Sequence, residues 1–141
     1  MGGEFTLGGA FDVYKLECWE VESPGNWIQN NIIDVGENFF LRVYFKGSGT
    51  TWDNVVEPMT LQYTVNFYAE GMGPGVPNVA IGPPINGNLV VGQGDYQVNS
   101  TEIAIGNTGI YRCGVTVTFA AWKGLLGFNE DCVIQVNPME E

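Results

Sequence analysis

Residues 111–119, Tyr111-Arg112-Cys113-Gly114-Val115-Thr116-Val117-Thr118-Phe119, decide the fold class. Tyr111, Cys113, Val115, Val117 and Phe119 fall on one side of an extended chain, and Arg112, Thr116 and Thr118 on the other. Alternation of this kind, filled by β-branched and aromatic residues, makes a strand with one face for a core and one for water. Phe39, Leu41, Val43 and Phe45 alternate in the same way with Arg42, Tyr44 and Lys46, and Leu61, Tyr63, Val65 and Phe67 with Gln62, Thr64, Asn66 and Tyr68. Three strong strands follow.

Weaker strand patterns run over Phe11 to Val21, Trp27 to Val35, Tyr96 to Ile105 and Asp131 to Val136, with a short one at Leu89 to Val91. In the first, Phe11 and Val13 are inward at odd positions but Leu16 and Cys18 at even ones, which predicts a β-bulge between them. No stretch carries apolar residues at three and four over a helical length. Turn signals at Ser23-Pro24-Gly25-Asn26, Gly47-Ser48-Gly49 and Gly106-Asn107-Thr108-Gly109 separate the strands. The prediction is an all-β, two-sheet antiparallel sandwich of seven to eight strands in one domain over 9–141, preceded by a flexible segment, 1–8. Between Gly71 and Gly94 glycine and proline dominate, which, apart from the short strand at Leu89 to Val91, predicts a long connection without its own structure that either wanders between sheets or serves as a contact surface.

The chain has 141 residues, 45% of them hydrophobic and 13% aromatic, enough to build a core without disulfides or metals. Five basic residues face sixteen acidic ones, a formal net charge of -11. Such a surface repels nucleic acid, whose recognition needs a basic patch. It also argues against membrane insertion, for no apolar run approaches the roughly 18 residues of a span. Met1-Gly2-Gly3-Glu4-Phe5 lacks a signal peptide's basic and apolar regions, so the expectation is a soluble protein, cytoplasmic if Met1 is the native start and secreted or surface-exposed if the chain has been trimmed.

Asn107-Thr108-Gly109-Ile110-Tyr111-Arg112-Cys113 resembles the sixth-strand motif of immunoglobulin-like domains, Asp-x-Gly-x-Tyr-x-Cys, with Asn for Asp. The resemblance implies an immunoglobulin-like sandwich in which Tyr111 makes the tyrosine corner and Cys113 lies in the core. Leu41 and Val43 stand where the family's second-strand cysteine would be, and Leu61 to Tyr68 lacks its core tryptophan, so an antibody-type disulfide is not implied. This architecture hosts many functions and selects none of them.

The chain contains no histidine. That removes Ser-His-Asp and Cys-His catalysis and the usual zinc sites, leaves only carboxylate pairs for an enzyme, and makes a non-enzymatic protein the expectation. Cys18, Cys113 and Cys132 have no C-x-x-C spacing, so they read either as buried thiols or as a disulfide joining Cys18 to one of the others. No cofactor is expected except calcium, for which Asp34 and Glu37 around one turn and Glu130 and Asp131 at the last strand are the candidate ligands. Those acids read equally as solvated turn residues.

Large aromatics beside turns are candidate anchors for a partner: Trp27, Trp52 and Trp122, with Tyr68 and, in the glycine-rich segment, Met72. Packing over the open end of the sandwich explains the tryptophans as well. The leading expectation is a binding or assembly module that contacts a protein through the loops at Gly47 to Val56 and Gly71 to Gly94. Alternatives are a carbohydrate-binding module, in which Trp27, Trp52 or Tyr68 stacks on sugar rings with calcium in the acidic loops, and an acidic calcium-binding protein. An unpaired strand edge would also permit oligomers.

Overall fold

The structure, a computed structural model, describes residues 2–5, 9–23, 25–122 and 125–138. Two five-stranded sheets pack face to face. The first runs β1 (Gly2–Phe5), β2 (Gly9–Ser23), β5 (Phe39–Gly49), β8 (Asp95–Asn99), and β3 (Asn26–Gln29) also pairs with β2. The second runs β4 (Ile32–Asp34), β10 (Leu126–Asn137), β9 (Gly109–Phe119), β6 (Gln62–Met72), β7 (Val79–Asn88). Every pairing is antiparallel except β4 with β10. Ten strands are thus present among the described residues.

Alternation places the core. Phe11, Val13, Leu16 and Cys18 of β2 and Leu41, Val43 and Phe45 of β5 meet Val65 and Phe67 of β6, Tyr111, Val115, Val117 and Phe119 of β9, and Ile134 and Val136 of β10. All are buried, and each contributes roughly 1.5–3 kcal/mol by leaving water. The bulge expected in β2 lies at Tyr14, left over between the pairs Val13↔Phe45 and Lys15↔Tyr44. One extra residue moves the inward set from odd to even positions, and Leu16 and Cys18 reach the core.

Trp27 to Val35, read as one strand, is two strands in different sheets. Asn30 and Asn31 make the crossing, because their side chains supply bonds that a ladder would otherwise give: Ile32 N donates to Asn30 Oδ1 (3.0 Å) and Asn31 Nδ2 to the Val133 carbonyl (2.8 Å). Tyr96 to Ile105 is strand only to Asn99, followed by one bridge between Ile103 and Phe39.

The segment 71–94 is corrected by the structure. It holds the ten-residue strand β7 along the free edge of β6, and Leu89 to Val91 is a turn entry instead of a strand. Proline hides this strand from a pattern reading. Gly82, Pro83 and Pro84 lie between the pairs Phe67↔Ile81 and Val65↔Ile85, so that three residues oppose Asn66 in a bulge. An edge strand can carry prolines there, since a missing N–H interrupts no ladder on its outer side.

The expected loop at Gly47 to Val56 is also different. β5 continues to Gly49, after which a π-helical turn, Trp52–Val56, and a 3-10 turn, Glu57–Met59, fold back onto the sandwich. Trp52 is 0% exposed and stacks on Phe11 at 5.9 Å. Its indole covers Gly47 so closely that a Cβ there would lie 1.9 Å from the ring. Below it Glu57 accepts four hydrogen bonds, from Trp52 Nε1 (3.0 Å), Tyr96 Oη (2.8 Å) and the N–H groups of Gly92 (2.7 Å) and Gly94 (2.8 Å).

Of residues 1–8, Gly2–Phe5 pair with Gly9–Asp12 as β1, and residues 1 and 6–8 lie outside the described residues. Among the described residues no helix is long and apolar enough to cross a membrane.

Candidate functional site

The outward positions of the first sheet form an aromatic and cationic surface. Register aligns its rows: Trp19 opposes Phe40, Glu17 opposes Arg42, and Lys15 opposes Tyr44 across β2 and β5. On the other side of β5, Arg42 opposes Asn99, Tyr44 opposes Gln97 and Lys46 opposes Asp95. The β2–β3 hairpin brings Trp27 over Phe40, ring centroids 4.5 Å apart, edge to face. Three of the chain's five cations, Lys15, Arg42 and Lys46, stand on this one face.

Each cation sits over a ring. The Arg42 guanidinium is 4.6 Å from the Trp19 centroid, 5.4 Å from Trp27 and 5.8 Å from Phe40, while Lys15 Nζ lies 5.1 Å from Tyr44 and Lys46 Nζ 4.9 Å from Tyr14. Attraction of a cation to the negative face of a ring holds such pairs together, by about 0.5–1 kcal/mol where water reaches them.

Hydrogen bonds fix the same groups from below. Glu17, 7% exposed, accepts from Trp19 Nε1 (3.3 Å) and the Tyr44 hydroxyl and pairs with Lys15 Nζ at 3.3 Å. Burial pushes its carboxyl up, but the bonds from Tyr44, Lys15 and Trp19 outweigh burial and hold it below the ordinary glutamate value. Arg42 Nε donates to Asn99 Oδ1 at 2.8 Å, and Tyr14 Oη to Asp95 Oδ1 at 2.7 Å. Burial and that bond to Asp95 push the Tyr14 phenol up to about 12, so it stays a donor at any physiological pH. At one end, Trp27, Phe40, Asn99, Ser100 and Glu102 line a cleft of about 140 Å³.

The anchors expected from sequence do not converge. Trp27, 43% exposed, belongs to this face. Trp52 is corrected: it is a core residue and offers nothing to a partner, because the helical turns fold its indole inward. Tyr68 lies on the outer face of the second sheet, its ring over Gly114, where a Cβ would come within 2.2 Å, and its hydroxyl donating to Glu130 Oε1 (2.6 Å). Met72 ends β6 beside Ile110, and Trp122 packs against the rim of the core. The chain reading missed Tyr14, Trp19, Phe40, Tyr44 and Glu17 as a group, although Arg42, Tyr44 and Lys46 already stand out as an outward row of one strand.

The four acids named for calcium fall into two separate pairs. Asp34 pairs with Asn137 at the end of β10, and Glu130 and Asp131 lie six to seven residues back along that strand, about 20 Å away. Glu37 follows Asp34 in a turn near Glu20, whose carboxyl burial and the charges of Glu37 and Asp34 push up. Glu130 and Asp131 line a depression with Arg112 and Val133. Among the described residues no three cysteine or carboxylate side chains are grouped to hold a metal ion.

No protein-family model and no curated protein matches the chain.

Proposed function

We propose that this chain is a non-enzymatic binding module with an immunoglobulin-like sandwich, and that it docks a protein partner through the outer face of its first sheet. Two features support the architecture. Tyr111 Oη donates to the Asn107 carbonyl (2.9 Å) two residues before buried Cys113, the bond expected of a tyrosine corner. In strand order, β2-β5-β8 corresponds to A-B-E of such domains and β10-β9-β6-β7 to G-F-C-C′.

The observation that carries the function is the chemistry of the face: Trp19, Trp27, Tyr14, Tyr44 and Arg42 on one sheet surface. Trp, Tyr and Arg are the residues that dominate binding energy at protein interfaces. Trp19, Tyr44, Arg42 and Tyr14 are held here by Glu17, Asn99 and Asp95, and Trp27 by its contact with Phe40, so little side-chain freedom remains to be lost on docking. The loops given that role in the sequence reading have less to offer, since Trp52 is buried and 79–88 is strand.

A carbohydrate reading keeps one specific support, the cleft beside Trp27, where Asn99, Ser100 and Glu102 supply polar groups next to an indole. Against it, stacking of sugars needs bare ring faces, and Arg42, Lys15 and Lys46 already cover rings of this surface.

Affinity capture from the native source, comparing wild type with Arg42→Glu and with Arg112→Glu on the opposite sheet, tests the proposal. A protein retained by wild type and Arg112→Glu but lost from Arg42→Glu is the expected result. Equal recovery by all three overturns it. Quenching of tryptophan fluorescence by a neutral polysaccharide, abolished by Trp27→Ala, would move the assignment to the cleft and to sugars.

A further inference from the structure

We propose that Cys113 and Cys132 are a site of reversible thiol oxidation, closing a disulfide between neighbouring strands of the second sheet. Both are buried, and so is Cys18. Only two of the three are aligned for a bond, since Cys132 on β10 lies directly opposite Cys113 on β9, whereas Cys18 approaches from β2 in the other sheet. Residues directly opposed in an antiparallel ladder have Cα atoms roughly 4.5–5.5 Å apart, inside the span of about 4.4–6.8 Å that a disulfide bridges. Their Cβ atoms start about 4.5–5.5 Å apart and need close by only about 1 Å.

The strand is built to give at this point. The β9–β10 register shifts between Asn129 and Cys132, so the ladder is interrupted just before the cysteine. Asn129 spans the break with its side chain, donating to the Val13 carbonyl (3.1 Å) and accepting from Asp131 N (2.8 Å). A bulge of this kind bends one strand and leaves a residue unpaired, which lets Cys132 move without unzipping β9.

The two thiols are also unequal. The Cys113 and Cys132 thiols are hydrogen-bonded to each other; that bond, with burial, holds the Cys113 proton in place. At Cys132 the same bond, aided by Asn31 Nδ2 at 3.9 Å, outweighs burial and favours the thiolate. Cys132, which stands at the bulge and alone receives Asn31 Nδ2, is assigned as the nucleophile and Cys113 as the resolving thiol.

The oxidant the site suits is a small hydroperoxide, because Cys113 and Cys132 are 0% and 2% exposed and a bulky disulfide or protein oxidant could not contact their sulfurs. The Cys132 thiolate attacks the terminal oxygen, the O–O bond breaks and an alkoxide or hydroxide leaves, taking up a proton. Cys132 is then a sulfenic acid. The Cys113 sulfur attacks it, the S–O bond breaks, and the Cys113 proton departs with the hydroxide as water. In sum two thiols and one hydroperoxide give a disulfide, an alcohol or water, and one further water, and the two electrons pass from sulfur to the O–O bond.

The test uses the full chain in its folded state, treated with hydrogen peroxide, then unfolded and alkylated without reductant. The expected product has lost the mass of two hydrogens, carries one alkyl group instead of three, and yields a cross-linked peptide pair joining Cys113 to Cys132. Dithiothreitol should restore three alkylation sites. Cys18→Ala should still form the link. Cross-linking through Cys18, three alkyl groups after exposure that oxidises a free cysteine, or accumulation of sulfinic acid at Cys132 each overturns the proposal.

Discussion

The end of the sandwich around Glu57 and the outer face around Glu17 share one device: a carboxylate almost withdrawn from water, ringed by donors that include a tryptophan N–H and a tyrosine hydroxyl. What differs is what each is connected to. Glu57 ties a helical turn to the backbone of the 92–94 turn and to the core tyrosine that follows it, so its bonds join two pieces of chain, 52–57 and 92–96, that no ladder holds together. Glu17 joins side chains of two adjacent strands that the ladder already holds. The same chemistry is structural where the backbone depends on it and organises a surface where it does not.

Changes at the two places should therefore separate stability from binding. Trp52→Ala has the largest effect, about 3–5 kcal/mol, because it empties the space between Phe11 and Gly47 and strips Glu57 of a donor. Urea unfolding measures it.

Glu57→Gln comes next, about 2–3 kcal/mol, since whichever way the new amide turns its N–H₂ faces the Gly92 N–H or the Gly94 and Trp52 N–H groups, which can only donate. Its pH profile is the sharper check. Burial pushes the Glu57 carboxyl up, but Tyr96, the Gly94 and Gly92 amides and Trp52 overcome it and hold the folded value below the ordinary 4.5. A depressed carboxyl stabilises the fold fully above 4.5 and loses that contribution as pH falls through 4.5 and on through the folded value. The difference in stability between wild type and Glu57→Gln should accordingly be constant from pH 6 to 8 and shrink below about 4.5. A difference that grows on acidification would overturn the assignment. Glu20 shifts the opposite way, and comparison of the two chains cancels its contribution.

Glu17→Gln should cost about 1 kcal/mol, since Tyr44, Trp19 and Lys15 can turn to water. If it equals Glu57→Gln, the contrast fails. Smallest in stability is Arg42→Ala, about 0.5–1 kcal/mol, the worth of its place over the rings, yet it should lower partner capture most. A large drop in melting temperature would instead make Arg42 a fastening of the sheet.

Much of the fold was legible because alternation is local. The bulge at Tyr14 followed from a change of parity within eight residues, and Tyr111 to Phe119 needed nothing beyond its own pattern. Where neighbours in space decide, local pattern misled. Trp52 follows Gly47-Ser48-Gly49 and so looked like the tip of a loop, but Gly47 is the small residue its ring requires. Pro83 and Pro84 argued against a strand that an edge position tolerates. The aromatic face lies further from reach still: Arg42 meets Trp19, Trp27 and Asn99 only through the registers of β2, β3 and β8, which no single stretch of chain encodes.

The proline bulge in β7 bears on behaviour in crowded solution. β7 is the long open border of the second sheet, and the opposite border, β4, is three residues long. A second chain laying a strand along β7 would meet a kink and two missing donors halfway, so the ladder it began could not extend. Concentrating this protein should therefore not seed strand-by-strand growth from either border of the second sheet, whichever partner occupies the aromatic surface of the first.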